Sequence, residues 1–207
     1  MITVLAGGVG AARLLRGMVR AVPASEITAI VNTADDVVLH GLHVSPDLDT
    51  VTYTLAEAGN PETGWGLAGE TWQAMDALDR FGGPTWFRLG DRDLGTHLHR
   101  TGRLAEGAGL ATVTAEITAA WGLEVTLLPM TEDPVATMVT LADGGGTGRE
   151  AGGEVGFQEY FVRLGHSVAV DSVRFDGAEN SRPGPGVLDA LAGADVVVIA
   201  PSNPIVS

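Results

Sequence analysis

The first ten residues constrain the fold most. Ile2-Thr3-Val4-Leu5-Ala6 is a short apolar run of the kind that forms a buried strand, and Gly7-Gly8-Val9-Gly10 breaks it. Leu14, Leu15, Met18, Val19 and Val22 then recur at helical spacing. Strand, glycine loop and helix is an arrangement that cradles phosphate, with backbone N–H groups at a helix N-terminus facing an anion. The loop matches GxGxxG only loosely and lacks the Lys-Ser/Thr of a P-loop, so a tight βα turn explains it equally well.

The same alternation runs on. Ile27–Val31 reads as a second strand, and a helix carrying Val51, Leu55 and Ala58 on one face follows. Gly59–Gly69 is a glycine-rich connection and Thr71–Phe81 a helix. Ala111–Trp121 is a further helix, Leu123–Leu128 a strand, 129–134 a loop and Val135–Leu141 a strand. Residues 143–156 are polar and glycine-rich. A helix is expected around 158–164, a strand over Val168–Phe175, a short helix over Val187–Leu191 and a buried strand over Ala194–Ile199. Strands alternating with helices predict one α/β domain over 1–207, a Rossmann-like, doubly wound and mostly parallel sheet. The consecutive strands between Leu123 and Leu141 point to a small antiparallel insertion. The sequence stops just after a strand and its Pro201-Ser202-Asn203-Pro204 loop, where a βα unit should continue, so it reads as cut short at its C-terminus.

Chemistry concentrates after the second strand. Asp35, Asp36, Asp47 and Asp49 fall on loop-forming sequence within fifteen residues. Carboxylates so close repel one another unless a cation, a metal ion or solvent intervenes. Asp47 or Asp49 can cap the next helix, beside Pro46 in its first turn, but capping does not account for all four acids. Further on, Arg88, Asp91, Arg92 and Asp93 alternate in sign. Such a run is by default a solvated loop closed by its own ion pairs. The sharper reading has Arg88 and Arg92 facing a phosphate with Asp91 and Asp93 holding them. His97 and His99 lie two apart without a zinc motif, which argues against zinc.

Composition narrows the classes. A formal net charge of -14 opposes a sequence-independent grip on nucleic acid. Without cysteine there is no disulfide, thiolate metal site or cysteine nucleophile. All 12 basic residues are arginine, which excludes lysine-dependent chemistry and fits a GC-rich coding sequence. Apolar runs are too short to span a membrane, and no signal-peptide pattern opens the chain, so a cytoplasmic protein is expected.

Taken together, seven segments resemble one family in its own order: Gly7–Gly10, Asn32–Asp36, Ser45–Val51, Leu89–Asp93 with Thr96-His97, Leu128–Met130 with Asp133–Val135, Gln158–Phe161 and Pro201–Pro204. This is the 2-phospho-L-lactate transferase family of coenzyme F420 biosynthesis, called CofD in archaea and FbiA in actinobacteria. The resemblance implies transfer of a phosphorylated three-carbon acid, 2-phospholactyl or phosphoenolpyruvyl, from a guanylylated donor to the terminal ribityl hydroxyl of the deazaflavin Fo. GMP leaves. The GC-rich composition fits the actinobacterial, phosphoenolpyruvyl branch. On this reading Asp49 contacts the ribityl chain and accepts the hydroxyl proton, Asp47 shares the catalytic role, and Arg88 contacts Fo. Gly8 and Gly10 of the glycine loop, with Ser202 and Asn203, are candidates for the guanine nucleotide or its phosphates, Arg92 for the leaving phosphate, and Asn32 and Thr33 for substrate contact. Asp35, Asp47 and Asp49 are candidate ligands of Mg2+, which favours oxygen donors and few protein carboxylates. A homodimer is implied as well. The runner-up is a YvcK-like regulatory protein that binds nucleotide sugars. An NAD-dependent enzyme is disfavoured, because Asn32-Thr33 stands where an isolated acid should end the second strand.

Overall fold

The five residues ahead of the glycine loop do form a strand, and everything else is hung on it. The computed structural model describes residues 1–142 and 152–202. In chain order its elements are β1 (Ile2–Ala6), α1 (Val9–Met18), β2 (Ile27–Val31), β3 (Val37–Leu39), β4 (Leu42–Val44), α2 (Pro46–Leu55), α3 (Gln73–Arg80), α4 (Asp93–Ala105), α5 (Leu110–Ala120), β5 (Thr126–Pro129), β6 (Ala136–Leu141), β7 (Glu154–Gly156), β8 (Val170–Asp176), α6 (Val187–Ala192) and β9 (Val196–Ile199). A π-helical segment, Glu159–Arg163, precedes β8.

The central sheet is parallel, in the order β5-β2-β1-β9. Ile2 pairs with Ile27 on one side of β1 and with Val196 on the other. Side chains alternate across the sheet. Val4 and Ala6 enter a core with Ala11, Ala12 and Leu15 of α1 and Leu48 and Val51 of α2. Thr3 points to the opposite face, where its Oγ1 donates to the Ala190 carbonyl of α6 at 2.8 Å. Helices therefore stand on both faces, as the alternation predicts, although Leu5, Val197 and Ile199 on the α6 side stay exposed. The order reverses between β1 and β9, so their loops part at a topological switch point, where open α/β sheets hold ligands.

Two smaller units stand on this platform. The hairpin β3–β4 packs Val44 with Met75 of α3 and with Leu89. The second is an antiparallel sheet, β7-β6-β8, with its own core of Val139, Leu141 and Val155. The expected insertion thus exists with different membership. β5 is the edge of the main parallel sheet, and only β6 belongs to the antiparallel unit. The expected helix around 158–164 is π-helical. Of the glycine-rich stretch 143–156, residues 143–151 lie outside the described part.

The expected charged loop at 88–93 leads straight into α4, a 13-residue helix with no apolar stripe to announce it. The residues that α4 buries are His97 and Arg100. Its N-terminus and that of α3 are capped from a distance and in exchange. Asp91 accepts from the backbone of Gln73 and Ala74 at the start of α3, and Glu70 accepts from the backbone of Arg92 and Asp93 at the start of α4. Such bonds satisfy the orphan N–H groups of a helix end.

Two glycines of α1 should respond oppositely to alanine. A Cβ on Gly10 would overlap the Pro201 carbonyl oxygen, whereas one on Gly17 meets nothing within 4 Å. Thermal melts should show Gly10→Ala destabilised by about 1–3 kcal/mol and Gly17→Ala stabilised by up to about 1 kcal/mol.

Candidate active site

Three loops at the C-terminal edge of the parallel sheet meet over the start of α2. The loop after β1 comes so close to α2 that a Cβ on Gly8 would lie 2.6 Å from Asp47 Oδ1. The loop after β9 presses Pro201 against Gly10. From the loop after β2, the Asn32 amide donates to Asp35 Oδ2 at 3.2 Å and to Asp47 Oδ2 at 3.0 Å, while its Oδ1 accepts from the Ala34 backbone N–H. Glycine at 8 and 10 thus has a packing reason, the close approach of a carboxylate and of a backbone carbonyl. A cavity of about 1080 Å3 opens here, lined by Gly8, Gly10, Asp35, Asp47, Asp49, Arg88 and Ser202 among others.

The four acids have different environments. Asp35 and Asp47 share one amide donor, and Asp35 Oδ1 is buried with no hydrogen bond of good geometry, the equally unpaired Thr137 hydroxyl standing near the carboxylate. Burial, then the charge of Asp47, push the Asp35 carboxyl up to about 7. Burial pushes Asp47 to about 6. Asp36 accepts from Ser45 Oγ at 2.6 Å, and burial raises it well above the carboxylate range. Asp49 is 5% exposed and turns to the fully buried Arg100, whose Nη1 donates to Oδ2 at 3.2 Å and whose Nη2 donates to Oδ1. Neither Asp47 nor Asp49 caps α2; Ser45 occupies the cap position, without a side-chain capping bond.

Behind Asp49 lies a polar layer between α2 and α4. His97, with no exposed surface, has Nδ1 3.8 Å from Asp49 Oδ2 and Nε2 3.3 Å from Asp93 Oδ2. The Tyr53 hydroxyl donates to Asp93 Oδ1 at 2.5 Å and lies 2.8 Å from Thr96 Oγ1. Burial, with Asp49 and Asp93 nearby, holds that hydroxyl protonated. On the far wall of the cavity, Phe157 stacks on Phe161 and Phe161 on His166, with ring centroids 5.6 and 4.9 Å apart.

The arginines of the 88–93 run do not behave as a phosphate clamp held by Asp91 and Asp93. Arg88 lines the cavity, donates to Asp76 at 2.7 Å and sits 5.1 Å from the Trp72 ring centre. Arg92 lies off the cavity and donates to the Ala68 carbonyl at 2.7 Å. Thr33 is buried, and its hydroxyl lies 3.5 Å from the Thr131 carbonyl, tying the loops after β2 and β5 together. Asn203 lies outside the described residues. Among the described residues no three His, Asp or Glu side chains form a metal-holding group. Asp35 and Asp47 come together through Asn32, and Asp49 is taken up by Arg100. Tyr53, His97 and Arg100 were not read as site residues from the sequence. Their signal is Asp93, His97 and Arg100 at i, i+4 and i+7, one helical face that resembles an ordinary solvated stripe.

Comparison with known proteins agrees along the whole chain. The model of the family described as 2-phospho-L-lactate transferase CofD matches residues 2–207. A phosphoenolpyruvate transferase from Streptomyces avermitilis is 51% identical over 207 residues, and one from Kitasatospora aureofaciens is 49% identical over 208. Both matches cover all of this chain and 63% of the relative, so the chain spans under two thirds of their length. The crystal structure of a UPF0052 family member from Bacillus halodurans shares the fold, with a TM-score of 0.61 at 22% identity, over all of this chain and 60% of that one.

Two outcomes follow from the charges. Removing Arg100 leaves Asp49 buried without compensation, so Arg100→Met should cost about 3–5 kcal/mol in chemical denaturation. Asp35 and Asp47 hold protons in the folded state that the unfolded chain releases from about pH 4 upward. Their contribution to stability is therefore full below the ordinary carboxylate range and is lost as pH rises through about 6 to 7. In chelator, Asp35→Asn should lose less stability than the parent between pH 4 and 7; parallel curves would contradict the assignment.

Proposed function

The chain belongs to the 2-phospho-L-lactate transferase CofD family, and on that premise we propose that it serves coenzyme F420 biosynthesis. In this reading it moves a phosphoenolpyruvyl group, or the related 2-phospholactyl group, from a guanylylated donor to the terminal ribityl hydroxyl of Fo. The names of its relatives favour the phosphoenolpyruvyl donor. The observation that carries the reading is the meeting of three loops, bearing Gly8 and Gly10, Asn32 and Asp35, and Pro201-Ser202, over Asp47 and Asp49 in one cavity. Phosphoryl transfer depends on positioning and on charge stabilisation more than on covalent help from the protein.

In the proposed step the ribityl oxygen bonds to the phosphorus that bears the three-carbon acid. The bond from that phosphorus to the oxygen bridging to GMP breaks, and GMP leaves with the electron pair. Asp49 accepts the hydroxyl's hydrogen bond and then its proton. Backbone N–H groups of the glycine loop at the start of α1, with Ser202, receive donor phosphates. Arg88, held by Asp76 and Trp72, meets Fo at the cavity wall.

The acidic pair fits a magnesium ion. Asp35 Oδ1, without a hydrogen bond of good geometry, and the half-buried Asp47 are hard oxygen donors, and Mg2+ is commonly held by one or two carboxylates, with waters and substrate phosphates completing its shell. Bound there, the ion would neutralise phosphate charge. The Asn32 amide, hydrogen-bonded to one oxygen of each, gathers the two carboxylates at that place.

Titration of Fo followed by its fluorescence, with Mg2+ and GDP present, tests this reading. Saturable binding that Asp35→Asn makes insensitive to Mg2+ is expected. Loss of all Fo binding in the parent chain, or preference for a UDP-sugar, would sink it.

A further inference from the structure

Arg100 is 2% exposed, and burying a guanidinium demands a full set of partners. Its two terminal nitrogens have four acceptors on three elements, and only Nε is left without one. Both Asp49 oxygens belong to α2, the His43 carbonyl at 3.3 Å to the β3–β4 hairpin, and His97 Nδ1 at 3.3 Å to α4 itself. One helical turn along α2, Tyr53 is tied to Asp93, so α2 and α4 are clamped at two successive turns. Asp49, Tyr53, Asp93 and His97 line the cavity, whereas Arg100 does not.

We propose that Arg100 is a positioning residue, whose guanidinium fork fixes the direction in which Asp49 presents its remaining lone pairs to the acceptor hydroxyl. This rests on the reading of the cavity as the Fo site. A carboxylate held on both oxygens by a fork still has lone-pair sites to spare, and Asp49 lines the cavity. The planar fork locks the carboxylate's rotation about its Cβ–Cγ bond, which a point charge does not. Arg100 thus acts through Asp49, and a lysine in its place separates charge compensation from direction.

The test uses the whole chain with Mg2+ and GDP, comparing the parent, Arg100→Lys, Asp49→Asn and the double variant by Fo fluorescence titration, GDP titration and thermal melting. Arg100→Lys should weaken Fo binding about tenfold, the worth of one charge-assisted hydrogen bond, while GDP affinity stays at the parent's value. The double variant should bind Fo no more weakly than Asp49→Asn alone, because the two residues act as one unit. Parent-like Fo affinity in Arg100→Lys, or losses that multiply in the double variant, would overturn the proposal and leave the Fo reading intact. A parent chain that does not bind Fo would overturn both. Should Arg100→Lys not fold, Arg100→Gln with Asp49→Asn completes the same cycle, since a glutamine amide reaches one oxygen and not two.

Discussion

Carboxylates crowded into a poorly solvated place need compensation, and this requirement organises the structure. Asp35, Asp36, Asp47, Asp49 and Asp93 gather around the start of α2 and the face of α4 behind it. Each is answered differently: an amide shared by Asp35 and Asp47, a serine hydroxyl on Asp36, a guanidinium fork on Asp49, a tyrosine hydroxyl on Asp93. These answers are incomplete only at Asp35 and Asp36, each of which keeps one buried oxygen without a hydrogen bond of good geometry. Asp35 lines the same cavity as Gly8 and Gly10 of the glycine loop, and it is there that the proposed function puts the donor phosphates and their cation.

The scaffold keeps that place narrow. β1 and β2 run in register, so the loops after them emerge side by side, and β9 on the other flank of β1 brings its own loop against Gly10. A parallel sheet with helices on both faces leaves the ends of its strands as the natural crevice. α2 begins inside the crevice, and its N-terminal dipole favours the acids carried on its first turn. α4 then secures α2 from behind, through contacts that are polar rather than apolar.

Much of this was legible in the sequence, and the parts that were not share a cause. The β1–glycine loop–α1 unit, β2, α2 and α5 announce themselves through apolar periodicity. α4 does not, because its buried face carries His97 and Arg100 where a pattern of leucines is expected, and the same polarity hid its role in the site. The acid cluster stood out as carboxylates in need of a counter-charge. The counter-charge itself was sought in a magnesium ion held by Asp35, Asp47 and Asp49, with Arg88 and Arg92 assigned to substrate groups. At Asp49 a protein group takes that part, Arg100, 51 residues away in sequence. Pairing at that range depends on how α4 docks on α2, which local spacing cannot reveal. β5 and β6 are neighbours in sequence but belong to different sheets for a similar reason, since partner choice is set by tertiary packing.

The division of labour among the acids is the central claim: Asp35 and Asp47 for the cation, Asp49 for the acceptor. Anomalous scattering from a crystal of the chain soaked with Mn2+ in place of Mg2+ examines it directly. The account predicts one peak in contact with the Asp35 and Asp47 carboxylates, with Asp49 still on Arg100. A peak coordinated by Asp49, with the Arg100 pair broken, would contradict it.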